Sequence, residues 1–220
     1  KRTLEAARVL NSIYQEPGLG ARVEGIHAEG PIIATRGGLP DSKLQIAWPL
    51  QKFTDLLDTL TPALKIMTIS PSLEQWDSTL VTEDAMDECF TCGTDRSISN
   101  EEHHQDEALP RSSVSAFARI DALMDRNILA SLGHDKFCTE ENIMGALSSA
   151  GERGTRLHLT HAFNVQEFHH RRTGLSNIAL LGQQFPTCVQ RNYPLALVPT
   201  VEVIGDLCHV SPITLQILLN

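Results

Sequence analysis

The chain has 220 residues, 41% hydrophobic and 20% charged, which is enough apolar sequence for one sizeable core. Its 18 basic residues stand against 27 acidic ones, a formal net charge of -9. An acidic chain without a basic stripe argues against nucleic acid as a partner. No apolar run reaches the roughly 20 residues a membrane-spanning helix needs, so no membrane partner is expected either.

A helical pattern comes first, with Leu4, Ala7, Val9, Leu10 and Ile13 at helical spacing. No charged-then-apolar leader precedes it. The chain opens at Lys1, already inside this pattern, and stops at Asn220 just after the apolar run Ile213 to Leu219. The expectation is an incomplete chain. Short β-rich runs follow, and each ends in polar or site-type residues. Val23 to Ala28 ends at Glu29, and Leu64 to Ile69 ends at Ser70-Pro71. Ile128 to Leu132 ends at Gly133-His134, Arg156 to Leu159 at Thr160-His161, and Thr200 to Ile204 at Gly205-Asp206.

Helices are expected between these runs. Leu50 to Leu60 is apolar at 3–4 spacing. Thr139 to Gly151 opens on a capping pattern, Thr139 with Asn142, and Pro212 starts a final helix with Ser211 as its N-cap. Strands alternating with helices imply βα units and a parallel sheet. Potential site residues recur at the carboxyl ends of strands, where a (β/α)8 barrel gathers its chemistry, though an open α/β sheet uses the same edge. Five strands in 220 residues read as the central part of one TIM-type barrel spanning 1–220.

One connection is inflated. Residues 79–126 are acidic, rich in Ser and Thr and largely aperiodic, which reads as a long surface insertion, partly disordered. Its end regains helical period at Val114, Phe117, Ile120, Leu123 and Met124. The insertion holds Cys89, Cys92, His103 and His104, but one close Cys pair with adjacent histidines is not a structural-zinc spacing. With Cys138, Cys188 and Cys208 the cysteines number five. An odd, scattered set fits a reducing compartment, and a cytoplasmic protein is expected.

Three strand ends carry metal-type ligands: Glu29, His134 and His161. Singly, each also reads as a solvated loop carboxylate or a hydrogen-bonded structural histidine. Together, one carboxylate and two imidazoles suit a catalytic divalent cation such as zinc, because three protein ligands leave a position open. Amide hydrolysis is the natural use of such a site.

Several segments resemble the N-acetylglucosamine-6-phosphate deacetylases, a branch of the amidohydrolase superfamily. Gly25 to Pro31, GIHAEGP, is similar to the family's His-x-Glu-Gly-Pro motif. Ser131 to Asp135, SLGHD, resembles its Gly-His strand end, and Ile66 to Glu74 its strand ending in a Pro-Glu turn. Thr160 to Leu175 resembles its Thr-His-x-x-Asn segment, and Glu202 to Pro212 its Asp-Gly-x-His-x-x-Pro segment. The five segments keep the family's order. The resemblance implies a metal-dependent hydrolase of linear amides in amino sugar catabolism. It would deacetylate N-acetylglucosamine 6-phosphate to glucosamine 6-phosphate and acetate.

Carried over by position, the resemblance implies that Glu29, His134 and His161 hold the metal. It implies that Asn164 and the backbone near Val165 hold the substrate phosphate. An arginine of the Arg171-Arg172 pair would neutralise that phosphate, and a homodimer partner can lend that arginine in the family. His209 would contact the substrate near the acetamide. No catalytic residue is expected within the chain, because the family's general acid/base aspartate would lie beyond Asn220. On that expectation the 220 residues alone do not turn over substrate.

Three departures stand out. Leu39 occupies the place of a family histidine and Leu207 that of a glycine, and the longer divergent stretch Val165-Gln166-Glu167 replaces the methionine that follows the family's Asn, here Asn164. They keep two other readings open. One is a related amidohydrolase acting on another N-acyl or cyclic amide. The other is a non-catalytic barrel relative or fragment that binds a sugar phosphate or a partner.

Overall fold

A computed structural model describes residues 2–15, 24–39, 48–74, 116–166 and 168–219. Among them five strands form one sheet: β1 (Ile26–Glu29), β2 (Leu64–Ile69), β3 (Leu129–Leu132), β4 (His158–Leu159) and β5 (Thr200–Val201). Their order in the sheet is their order in the chain, and every neighbouring pair is parallel. Each strand end therefore comes out on the same edge, and the chain returns through helical connections to start the next strand.

The helices are α1 (Arg2–Gln15), α2 (Leu50–Leu60), α3 (Ala118–Met124), α4 (Glu140–Glu152), α5 (Leu175–Leu181), α6 (Phe185–Cys188) and α7 (Pro212–Leu219). The spacing in 50–60 predicts α2 to the residue, and its buried Phe53, Leu56, Leu57 and Leu60 are the apolar stripe. α4 begins where the capping pattern places it. Thr139 accepts from the Asn142 backbone N–H, and the Asn142 side chain accepts from the Thr139 N–H. Ser211 caps α7 through the Thr214 N–H.

Residues alternate across the sheet. Met67, Ile69, Ala130, Leu132 and Leu159 face the core, where they meet Phe53 and Leu57 of α2, Ile120 and Leu123 of α3, and Ile143 and Leu147 of α4. The opposite face is polar. The register aligns Glu29, Thr68, Ser131, His158 and Thr200 across the five strands, with His27 two residues before Glu29. The sheet is thus covered by helices on one face and lined by polar and site-type residues on the other.

Strand ends match expectation better than strand starts. β1 begins at Ile26, with Val23 outside the described residues, and β3, β4 and β5 are shorter than expected. Most of 79–126, including Cys89, Cys92, His103 and His104, lies outside the described residues. Its final part carries α3, with Arg119, Ile120, Ala122 and Leu123 buried, in keeping with the helical period seen there. α5 and α6 have no counterpart in the sequence-based expectation.

Candidate metal centre

Glu29 is the last residue of β1, and His134 and His161 stand just beyond β3 and β4. The parallel sheet therefore delivers all three side chains to one edge. Glu29 Oε1 lies 2.6 Å from His134 Nε2 and 3.0 Å from His161 Nε2, and the two Nε2 atoms are 3.0 Å apart. Both histidines are buried, and Glu29 is the more open member.

Backbone geometry aims these groups. His134 has φ 51° and His161 φ 28°, in the left-handed region that non-glycine residues seldom occupy. Gly133 precedes the first of them, and a Cβ there would collide with Thr160. Only glycine lets β3 and β4 approach so closely at the ligand-bearing end.

The protonation pattern follows from the partners. His134 Nδ1 lies 3.0 Å from the Thr35 carbonyl, which only accepts, so Nδ1 carries the proton. That leaves Nε2 as the nitrogen through which the ring would ligate. Such an outer hydrogen bond from a ligating histidine fixes its tautomer and ring orientation. His161 Nδ1 is buried and has no hydrogen-bond partner among the described residues. Partial burial works against charge on Glu29, but the adjoining His161 and His134 rings outweigh it and hold the carboxyl below its ordinary range.

The donor set fits a divalent cation. A carboxylate oxygen and two imidazole nitrogens converge within 3.0 Å of one another. Three lone pairs at that distance repel unless a proton or cation lies among them. Tetrahedral zinc with bonds near 2.0–2.1 Å sets its ligand atoms about 3.3 Å apart, wider than all three separations, so ligation would open the cluster slightly. Among the described residues this is the one group of such side chains close enough to hold an ion.

Other groups brace the centre. His27 Nε2 pairs with Thr68 Oγ1 at 2.8 Å, and burial chiefly pushes the His27 pKa down. His27 is thus a neighbour of Glu29 tied to β2. Asp135, next to His134, accepts from the Ser72 and Phe137 backbone N–H groups. Gln166 donates to the Thr160 carbonyl and is held in turn by Ser176. None of Ser70, Thr35 and Gln166 was expected to brace the centre. Ser70 was legible only as a strand end before proline, and Gln166 only as part of a departure from the family pattern.

The residues carried over for substrate fall into three places. Val165 has φ 65° and stands across Gly37 from His134, where a Cβ on Gly37 would strike Val165 and reach within 3.5 Å of His134 Cε1. Asn164 sits beside it in the same turn, its N–H donating to the His161 carbonyl. Arg171 and Arg172 line a separate cavity of about 410 Å³ with Asp135, Lys136, Thr139 and Gly174. His209 is exposed on the loop after β5, its Nδ1 2.7 Å from Asp206 Oδ2. Backbone N–H groups of His209 and Cys208 also bind Asp206 and hold its carboxyl down at about 2. Burial pushes the Cys138 thiol up to about 12, which makes it a poor nucleophile.

The parallel α/β sheet brings a carboxylate and two histidines to the carboxyl ends of its strands, the edge where (β/α) barrels gather their sites. Solved structures give that fold a more particular counterpart. The crystal structure of an N-acetyl-D-glucosamine-6-phosphate deacetylase from Mycobacterium smegmatis superposes with a TM-score of 0.55 and 20% identity, covering 99% of this chain and 43% of the other. An aspartate-to-alanine mutant of that deacetylase, in complex with N-acetyl-D-glucosamine-6-phosphate, matches with a TM-score of 0.55 and 19% identity, covering 99% of this chain and 40% of the other. The chain thus has the fold of these deacetylases and spans less than half their length. No family model and no curated protein matches it by sequence. Among the described residues, no helix is long and apolar enough to cross a membrane.

Proposed function

We propose that this chain is the central part of a metal-dependent amide hydrolase that deacetylates N-acetylglucosamine 6-phosphate to glucosamine 6-phosphate and acetate. The observation that carries the reading is the convergence of Glu29, His134 and His161 on one point at the edge where strand ends meet. These three would hold the ion. A divalent cation there, zinc by its donor set, would supply a Lewis acid for the amide carbonyl and would lower the pKa of bound water. The Thr35 carbonyl keeps the His134 ring in the tautomer and orientation that ligation needs. Burial of both histidines keeps bulk water from their ring nitrogens.

Phosphate recognition is the next part of the proposal. Asn164 and the Val165 backbone would hold the phosphate, and Arg171 or Arg172 would neutralise it, because guanidinium matches phosphate with two parallel donors. No ion pair ties either guanidinium to a carboxylate of the described residues. His209, held by Asp206 through Nδ1, keeps Nε2 for the substrate. The working protein is proposed to be a cytoplasmic homodimer. The general acid/base aspartate is proposed to stand outside these 220 residues.

The test is a deacetylation assay on the whole zinc-loaded protein with N-acetylglucosamine 6-phosphate and unphosphorylated N-acetylglucosamine. Preference for the phosphorylated sugar supports the reading. Turnover of unphosphorylated N-acyl substrates alone favours a related amidohydrolase, the second reading, which the placing of Arg171 and Arg172 in a separate cavity recommends.

A further inference from the structure

The ligands come from β1, β3 and β4, and β2 between them supplies none. Yet the end of β2 holds the centre's most connected hydroxyl. Ser70 is fully buried. Its Oγ accepts the Ala34 N–H at 2.9 Å, from the loop after β1. Oγ also stands 3.0 Å from both the Gly133 and His134 carbonyls, at the end of β3, and its one proton serves them. The Ser70 N–H donates to the Ile32 carbonyl at 2.9 Å. One residue therefore ties the loop that follows Glu29 to the backbone of His134.

Thr35 completes the clasp. Its N–H donates to the His134 carbonyl at 2.7 Å, its own carbonyl accepts from His134 Nδ1, and its Oγ1 accepts from the Lys136 N–H. The His134 carbonyl is thus held from two sides while its ring is held from a third. This matters because His134 sits at φ 51°, a conformation that persists only where its surroundings enforce it.

We propose that Ser70 is a positioning residue for the metal centre. Its hydroxyl pins the left-handed backbone of His134 to the loop after Glu29, and so sets the approach of Oε1 and Nε2. Ser70 touches neither metal nor substrate. It acts through His134 and Ala34, and the proposal rests on the metal reading given above.

The test measures zinc dissociation constants by chelator competition, and visible spectra of the cobalt-substituted protein, with stability followed by thermal unfolding. Ser70→Ala removes the hydroxyl and leaves the buried Ala34 N–H without its acceptor. Loss of an outer-shell partner typically weakens metal binding about 10–100-fold, and that fall, with an altered cobalt spectrum, is expected. Ser149→Ala is the control. Ser149 is half-buried in α4, and its hydroxyl donates to Asp121 Oδ1 of α3 at 3.0 Å, on the helix side away from the clasp. It should lose some stability and keep wild-type zinc affinity and spectrum. Ser70→Cys, which keeps a weaker donor, should fall between wild type and alanine, and it decides the matter if the alanine variant does not fold. Folded Ser70 variants with wild-type affinity and spectrum overturn the positioning role while leaving the metal reading intact. A wild-type chain that binds no divalent cation overturns both.

Discussion

Glu74, four residues after Ser70, offers a test in pH. It is buried, and its Oε2 accepts from the Arg119 N–H at 3.0 Å and more weakly from the Ile120 N–H at 3.4 Å, which anchors the start of α3. Burial raises its pKa from 4.5 to about 7, against the pull of the Arg119 charge. An unfolded Glu74 releases its proton near 4.5, the folded one near 7, so the folded chain binds more protons in between. Stability from this group is therefore full below pH 4.5 and lost as pH rises through about 7. At about 1.4 kcal/mol per pH unit the change is on the order of 3 kcal/mol. Glu74→Gln keeps an acceptor for both N–H groups and does not titrate. Urea unfolding of wild type and variant between pH 4.5 and 8 isolates the effect, since all other carboxylates cancel. The stability difference should move in favour of the variant by about 3 kcal/mol across that window. A difference that stays constant to within about 1 kcal/mol refutes the assignment of a raised pKa to buried Glu74.

Other perturbations probe the centre itself. Gly37→Ala places a methyl group against Val165 at φ 56°, and zinc affinity measured by chelator competition should fall while the far helices stay folded by circular dichroism. Arg172→Ala or Arg171→Ala should raise KM for the phosphorylated sugar about tenfold or more in at least one case, with little change for an unphosphorylated N-acyl substrate. Asp206→Asn removes the carboxylate that His209 Nδ1 binds, so kcat should fall with zinc content unchanged by elemental analysis. Acidification should release the ion, because its ligands bind only when deprotonated, and a zinc titration against pH should show affinity falling as pH is lowered.

The sequence showed the sheet and the three candidate ligands more readily than what surrounds them. The runs ending at Glu29, His134 and His161 were legible because a parallel strand buried on its core face carries a compact apolar signal, and its end is marked by a change to Gly, Thr or His. α2 and α4 were legible for the same kind of reason, a 3–4 period and a cap. β4 came out at two residues because only His158 and Leu159 ladder with both neighbours. α5 is short and opens on Gly174, whose N–H is met by the Asn177 side chain, a weak capping signal that a seven-residue helix scarcely amplifies. Ser70 read as an ordinary turn serine before proline. Its partners lie 36 and 64 residues away, and local spacing holds no record of such contacts. The placing of Arg171 and Arg172 in a cavity with the loop after His134 was equally out of reach, because two charged residues in a row look the same whether solvated or lining a pocket.

The central claim is that Glu29, His134 and His161 hold one divalent ion. Elemental analysis of the chain purified with zinc, beside Glu29→Gln, His134→Ala and His161→Ala, tests it most directly. The account predicts about one zinc per wild-type chain and substoichiometric metal in each folded variant. A metal-free wild-type chain, or variants that retain full zinc, would contradict it.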